Sequence, residues 1–128
     1  MRVMLVDDSK VMRGVERSVL AKVGVTEIEE AGDGAEALQK LDAFKPDLVL
    51  LDWNMPIMNG LAFLKAMRAQ GRKTPVIMVT TEAEKSHVME AIRAGVNNYC
   101  IKPFTPESLS KCIEKTMAAA KAPPAAAA

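Results

Sequence analysis

Cysteine and histidine are almost absent: Cys100, Cys112 and His87 are the whole complement in 128 residues. Two thiols cannot build a disulfide scaffold, and with one histidine they form a poor donor set for a Cys/His metal centre. No apolar run approaches the ~20 residues that a membrane-spanning helix needs, so membrane insertion is not expected. Nor does charge of one sign dominate. Seventeen basic and sixteen acidic residues leave a net charge of +1, without the basic excess of a nucleic-acid binder. The opening apolar run is cut off by Asp7 and Asp8, too early for a signal peptide. Reduced thiols and a cytoplasmic location are therefore expected. What is present is 49% hydrophobic and 26% charged residues, the balance of one soluble globular domain. Its chemistry must use carboxylates, hydroxyls and lysines.

Short apolar runs alternate with amphipathic stretches. Residues 3–6 read as a strand. Ser9 then caps a helix on which Val11, Val15 and Val19 recur every four residues beside Leu20 and Val23, ended by Gly24. Residues 25–31 form a second strand, whose Glu27, Glu29 and Glu30 suit a sheet edge. Asp33-Gly34-Ala35-Glu36 has the pattern of a capping box and opens a second helix through Leu38 and Leu41, broken by Lys45-Pro46. Residues 48–51 and 76–79 are apolar without alternation, the mark of strands buried on both faces. Helices are predicted over 61–70, closed by Gly71, and over 84–94, with Val88 and Ile92 inward and Gly95 as stop. Tyr99-Cys100-Ile101 makes a fifth strand. Thr105 caps a fifth helix with Pro106 at its first position and Leu109, Ile113 and Met117 on its apolar face.

Five βα units predict an α/β fold: a doubly wound, five-stranded parallel sheet of the flavodoxin-like type, with helices on both faces. The most apolar strands, the first, third and fourth, belong at the centre, which gives the order 2-1-3-4-5. Residues 1–118 form the expected domain, and 119–128 an alanine- and proline-rich flexible tail.

In a parallel sheet the residues just past each strand gather along one edge. Here they are Asp7 and Asp8, Asp52, Thr80 and Thr81, and Lys102. Each has an ordinary reading of its own: a helix cap, a turn residue, a strand-end hydroxyl, a solvated lysine. Together they form a site. Three carboxylates that close repel one another and need either a proton or a cation. Oxygen donors without histidine or cysteine favour Mg²⁺.

The motifs Leu5-Val6-Asp7-Asp8-Ser9, Leu50-Leu51-Asp52-Trp53-Asn54-Met55-Pro56, Met58-Asn59-Gly60, Met78-Val79-Thr80-Thr81-Glu82 and Tyr99-Cys100-Ile101-Lys102-Pro103-Phe104 follow one another in this order. In that order and spacing the chain resembles the receiver domain of two-component response regulators, over about residues 2–117. The resemblance implies that Asp52 accepts a phosphoryl group from a phosphohistidine on a sensor histidine kinase. It implies Mg²⁺ held by Asp7, Asp8, Asp52 and the Asn54 backbone carbonyl. It assigns Lys102 to the phosphoryl oxygens, Thr80 and Tyr99 to the conformational switch, and Asn54 and Glu82 to the tuning of dephosphorylation. It also implies a cis Lys102–Pro103 bond.

The resemblance further implies a phosphoacceptor that assists its own phosphorylation and dephosphorylation, rather than an enzyme in its own right. The expected partners of this monomer are the kinase, a downstream protein (the flagellar motor switch, if the pathway is chemotaxis) and a phosphatase. The expected output face combines the fourth helix, fifth strand and fifth helix, with Glu84, Lys85, His87, Glu90, Tyr99, Lys111 and Lys115 exposed on it. Trp53 is expected partly exposed beside the metal, Cys100 buried, His87 at the surface, and Lys10, Arg13 and Arg17 on a solvated face. Three alternatives stand beside this. A flavodoxin-type cofactor binder would need a phosphate loop where Asp7-Asp8-Ser9-Lys10 stands. A Mg²⁺-dependent phosphatase with an aspartate nucleophile would need an acid where Asn54 stands. The third is a receiver fragment of a larger regulator with a separate output domain.

Overall fold

The computed structural model describes residues 1–120. Strands and helices alternate strictly: β1 (Arg2–Val6), α1 (Lys10–Lys22), β2 (Glu27–Ala31), α2 (Gly34–Phe44), β3 (Leu48–Leu51), α3 (Gly60–Ala69), β4 (Val76–Thr80), α4 (Lys85–Arg93), β5 (Asn98–Ile101) and α5 (Pro106–Ala120). All strand pairs are parallel, in the order β2-β1-β3-β4-β5. None of these helices is long and apolar enough to cross a membrane.

The period of two along each strand divides the interior into two cores. Val3 and Leu5 of β1, Leu48 and Leu50 of β3, and Ile77 and Val79 of β4 face one side, where Val19 and Leu20 of α1 and Leu109 and Ile113 of α5 cover them. The alternate residues Met4, Val6, Val49, Leu51, Val76 and Met78 face the other side, against Leu41 of α2, Phe63, Leu64 and Met67 of α3, and Ala91 of α4. Central strands buried on both faces explain their unbroken apolar sequence.

The helix starts follow from local chemistry. Ser9, Asp33 and Asn59 each accept a hydrogen bond from a backbone N–H of the first turn, at Met12, Glu36 and Ala62. Thr105 and Ser108 satisfy each other's backbone N–H groups at the start of α5. Glu36 does not close a capping box on Asp33; its carboxylate accepts from the Gly32 N–H at 2.7 Å.

Helix orientation departs from the expected apolar faces. On α1, Val11 is 79% exposed and Val15 and Val23 are also at the surface, while Glu16, Val19 and Leu20 are buried. The helix packs through the neighbouring stripe, so a carboxylate goes inside while Val11, Val15 and the C-cap Val23 stay outside. On α4, Ile92 is exposed and Ala91 takes the buried position. Residues 119 and 120 belong to α5, and residues 121–128, the rest of the expected tail, lie outside the described residues.

Candidate functional site

The ends of β1 and β3 set the acidic cluster. Asp7 and Asp52 follow the paired residues Val6 and Leu51, and the Asp52 N–H continues the ladder by donating to the Val6 carbonyl at 2.9 Å. One carboxylate oxygen each from Asp7, Asp8 and Asp52 lies within 4.8 Å of the others. Asp7 and Asp52 are buried and Asp8 is exposed. Asp7 Oδ1 accepts from the Ser9 N–H, and Asp52 Oδ1 from the Trp53 N–H, both at 2.8 Å. These bonds fix each carboxylate by one oxygen and leave the other for the site.

Lys102 completes it from the end of β5. Its Nζ is 2.8 Å from Asp7 Oδ2 and 3.4 Å from Asp52 Oδ2. Burial alone would weaken the ammonium. The hydrogen bond to Asp7 and the charges of Asp52, Asp7 and Glu16 outweigh it and hold the pKa above the ordinary lysine value. The Lys102–Pro103 peptide is cis, as expected. Three carboxylates against one ammonium leave a surplus of negative charge on an all-oxygen donor set, which fits a hard divalent cation. Asn54 lines an open cleft of about 530 Å³ together with Asp8, Trp53 and Asn59.

Gly60 secures this geometry. A Cβ there would stand 2.1 Å from the Asp52 carbonyl oxygen, and the Gly60 N–H donates to the Trp53 carbonyl at 2.9 Å. The start of α3 thus seats directly on the backbone that carries Asp52.

Thr80 and Glu82 form a second group at the end of β4. Thr80 is fully buried, and its hydroxyl accepts from the Glu82 N–H at 3.2 Å. Tyr99 donates its hydroxyl hydrogen to the Glu82 carbonyl at 2.6 Å. Burial, with the charges of Glu82 and Asp52, pushes the Tyr99 phenol up to about 12. Thr80 and Tyr99 are therefore linked through one residue's backbone.

Two expectations need correction, those for Trp53 and Arg13. Trp53 is buried and joins the core instead of lying partly exposed. His87 lies at the surface as expected, its side chain 34% exposed, and it is also held there: its Nδ1 meets Glu82 Oε1 at 2.6 Å and its ring stands 5.2 Å from that of Trp53. Arg13 is not solvated; it bonds Glu30 and the Asp7 carbonyl. Arg17 is exposed, as expected, and pairs with Glu30 as well. The acidic edge strand β2 supplies the partner for both arginines.

The sequence reading also missed Glu16. It is almost fully buried, and its Oε1 has no hydrogen-bond partner. Burial, then Asp7, raises its pKa to about 8, with Lys102 acting in the opposite direction. The only sequence signal is its place next to Val15 and three residues before Val19.

Residues 3–114 match a family profile described as the response regulator receiver domain. The chain is 47% identical over 117 residues to the chemotaxis protein CheY1 of Helicobacter pylori strain J99, covering 89% of this chain and 94% of that protein. It is 44% identical over 117 residues to the chemotaxis protein CheY of Pseudomonas aeruginosa, covering 90% and 94%. Among solved structures, that of Vibrio cholerae chemotaxis protein CheY4 matches with a TM-score of 0.83 at 38% identity, covering 90% of this chain and 97% of that one.

Proposed function

The chain belongs to the response regulator receiver family, and from that premise we propose that Asp52 is the phosphoacceptor of a chemotaxis response regulator. The carrying observation is the cluster of Asp7, Asp8 and Asp52 with the Lys102 ammonium on two of its carboxylates.

The Asp52 carboxylate oxygen attacks the phosphorus of a phosphohistidine on a sensor kinase. An O–P bond forms as the N–P bond breaks, and the imidazole leaves. There is little covalent chemistry for the protein beyond the nucleophile; the work is positioning and charge. The Trp53 N–H holds Asp52 Oδ1, so Oδ2 is the oxygen presented. Asp8, Asp52 and the Asn54 carbonyl, assisted by Asp7, would hold Mg²⁺, which supplies positive charge beside the phosphoryl oxygens. Lys102 adds its own charge on the same side. Asn54 and Glu82 flank the route by which water reaches the phosphorus. A small amide and an acid leave it open and favour rapid self-dephosphorylation, without turnover of free phosphate esters.

The switch runs through Glu82. A phosphoryl group on Asp52 offers Thr80 a charged acceptor. Rotation of that hydroxyl releases the Glu82 N–H, and the Glu82 carbonyl, which holds Tyr99, moves with it. The Tyr99 ring then moves inward, and the face made by α4, β5 and α5 changes shape in one two-state step. Exposed Met89, Ile92 and Ile101 give this face apolar contact area beside Lys85 and Glu90. The flagellar motor switch is the proposed target, and the cytoplasm the place of action.

Acetyl phosphate with Mg²⁺ should add one phosphoryl group, lost on Asp52→Asn and in EDTA. Label retained on that variant overturns the assignment. Binding of phosphorylated protein to a motor-switch protein should weaken on Tyr99→Ala or Lys85→Ala while Asp52 labels normally. Unchanged binding would move the output face elsewhere.

A further inference from the structure

Glu82, Glu84 and His87 bring three donor atoms together outside the acidic cluster at Asp52. One atom of each lies within 4.8 Å of the other two. His87 Nδ1 is 2.6 Å from Glu82 Oε1 and 3.4 Å from Glu84 Oε2. The local structure fixes this convergence. Glu82 stands two residues past β4, Glu84 directly before α4, and His87 in the first turn of that helix. At i and i+3, Glu84 and His87 are neighbours on one helix face. Glu84 holds the N-cap position, yet its side chain caps no backbone N–H. Its carboxylate is turned to the imidazole instead. The imidazole ring also rests against the ring of Trp53, at 5.2 Å.

Two carboxylates face one ring nitrogen, and that nitrogen carries at most one proton. The short contact to Glu82 takes it, so the Glu84 oxygen at 3.4 Å has no proton of its own. A divalent cation in the same space would serve all three donors. Three protein donors with a fourth position left to water is the set that Zn²⁺ takes in open sites. Bonds of about 2.1 Å in a tetrahedron set the ligand atoms ~3.4 Å apart. The contact from His87 to Glu84 already has that spacing, and the one to Glu82 need open by only about 0.8 Å. The imidazole nitrogen separates this set from the all-oxygen cluster of Asp7, Asp8 and Asp52. Oxygen donors alone suit Mg²⁺, whereas a set with imidazole suits Zn²⁺.

We propose that Glu82, Glu84 and His87 form a second metal site, one for Zn²⁺, separate from the Mg²⁺ cluster. The metal takes the place of the proton at His87 Nδ1, and that proton goes to solvent. The backbone of Glu82 also holds the Thr80 hydroxyl and the Tyr99 hydroxyl, so Zn²⁺ ties the first turn of α4 to the residue that links them. It also holds the Glu82 carboxylate away from the phosphoryl group. The resulting slower self-dephosphorylation rests on the function proposed above, whereas Zn²⁺ binding does not.

The probe is Zn²⁺, added to the full chain with Mg²⁺ at about 10 mM to fill the acidic cluster. Binding is followed by calorimetry and by NMR of His87, the single histidine of the chain. The His87 imidazole resonances should shift over the same Zn²⁺ range as the heat. His87→Ala and Glu84→Gln should each weaken this binding about tenfold, and Asp8→Asn should leave it unchanged. Glu84 is exposed and glutamine has its shape, so that variant keeps the fold. Zn²⁺ should slow the loss of the phosphoryl label from Asp52, and Glu84→Gln should lose that slowing. The proposal is overturned by imidazole resonances that ignore Zn²⁺, which would leave an ion pair only, or by an affinity that Glu84→Gln does not change. It is equally overturned by an affinity lost in Asp8→Asn and kept in His87→Ala, which would put the ion on the acidic cluster. Failure of Asp52 to label would overturn the proposed function and leave the Zn²⁺ site standing.

Discussion

Lys102 sits closer to Asp7 than to Asp52: 2.8 Å against 3.4 Å. Its ammonium therefore occupies the electrostatic low point that a divalent cation would share, and the two positive charges compete for Asp7. Lys102→Ala should raise Mg²⁺ affinity by about tenfold, because it removes a like charge from beside the donor carboxylates. The same change should slow phosphorylation by acetyl phosphate, because the phosphoryl oxygens lose their ion pair. Trp53, next to Asp52 in sequence, reports the titration through its fluorescence. A weaker Mg²⁺ affinity would show that Lys102 organises the carboxylates rather than competing for them.

Gly60→Ala tests how firmly the acidic cluster depends on α3. The added methyl would stand 2.1 Å from the Asp52 carbonyl oxygen, so the strand end or the helix start must shift. Overpacking of this kind costs about 1–3 kcal/mol and displaces Asp52. Urea denaturation should show a lower midpoint, and acetyl phosphate labelling should fall even where the variant remains folded.

The sheet order was legible because the central strands β1, β3 and β4 are apolar apart from Arg2 at the start of β1 and Thr80 at the end of β4, and only a parallel sheet covered on both faces accounts for that. The strand-end residues followed from the topology alone. Helix facing was harder to read. On α1 an i, i+4 row of valines outscored the stripe that actually packs, because hydrophobic periodicity carries no term for a buried glutamate. Trp53 was misplaced for another reason. Its position depends on packing in the core and on a long-range contact with His87 of α4, which no local pattern encodes. Asn54 and Glu82 were located, but the dephosphorylation role proposed for them is chemistry that no side-chain position in the resting protein displays.

Glu16 should make the protein less stable as pH rises. Its folded pKa of about 8 is above the 4.5 of the free side chain. The neutral acid is the form that suits the folded state, so its contribution is complete below the unfolded value and is lost as pH climbs through the folded one. Across that interval stability falls by up to about 1.4 kcal/mol per pH unit. Glu16→Leu, measured by urea denaturation without metal, should flatten this slope and be the more stable protein at about pH 8. Parallel slopes for the two proteins would show that Glu16 is already ionised in the fold.

His87 joins the β4–α4 loop to Trp53, the residue beside Asp52. Its Nδ1 is 2.6 Å from Glu82 Oε1 and 3.4 Å from Glu84 Oε2, and its ring lies against Trp53. The hydrogen bond to Glu82, helped by the charges of Glu82, Glu84 and Glu90, raises the imidazole pKa above its ordinary 6.5. The sign follows: the charged pairings are complete below that ordinary value and are lost as pH rises through the raised one. Glu82 also holds both Thr80 and Tyr99, so loosening His87 loosens the backbone that links them. Trp53 emission should change with a midpoint above 6.5, and His87→Ala should remove that transition. The same variant should shift the rate of self-dephosphorylation, because Glu82 loses the partner that fixes its carboxylate. Emission that titrates identically in His87→Ala would place the responsible group elsewhere.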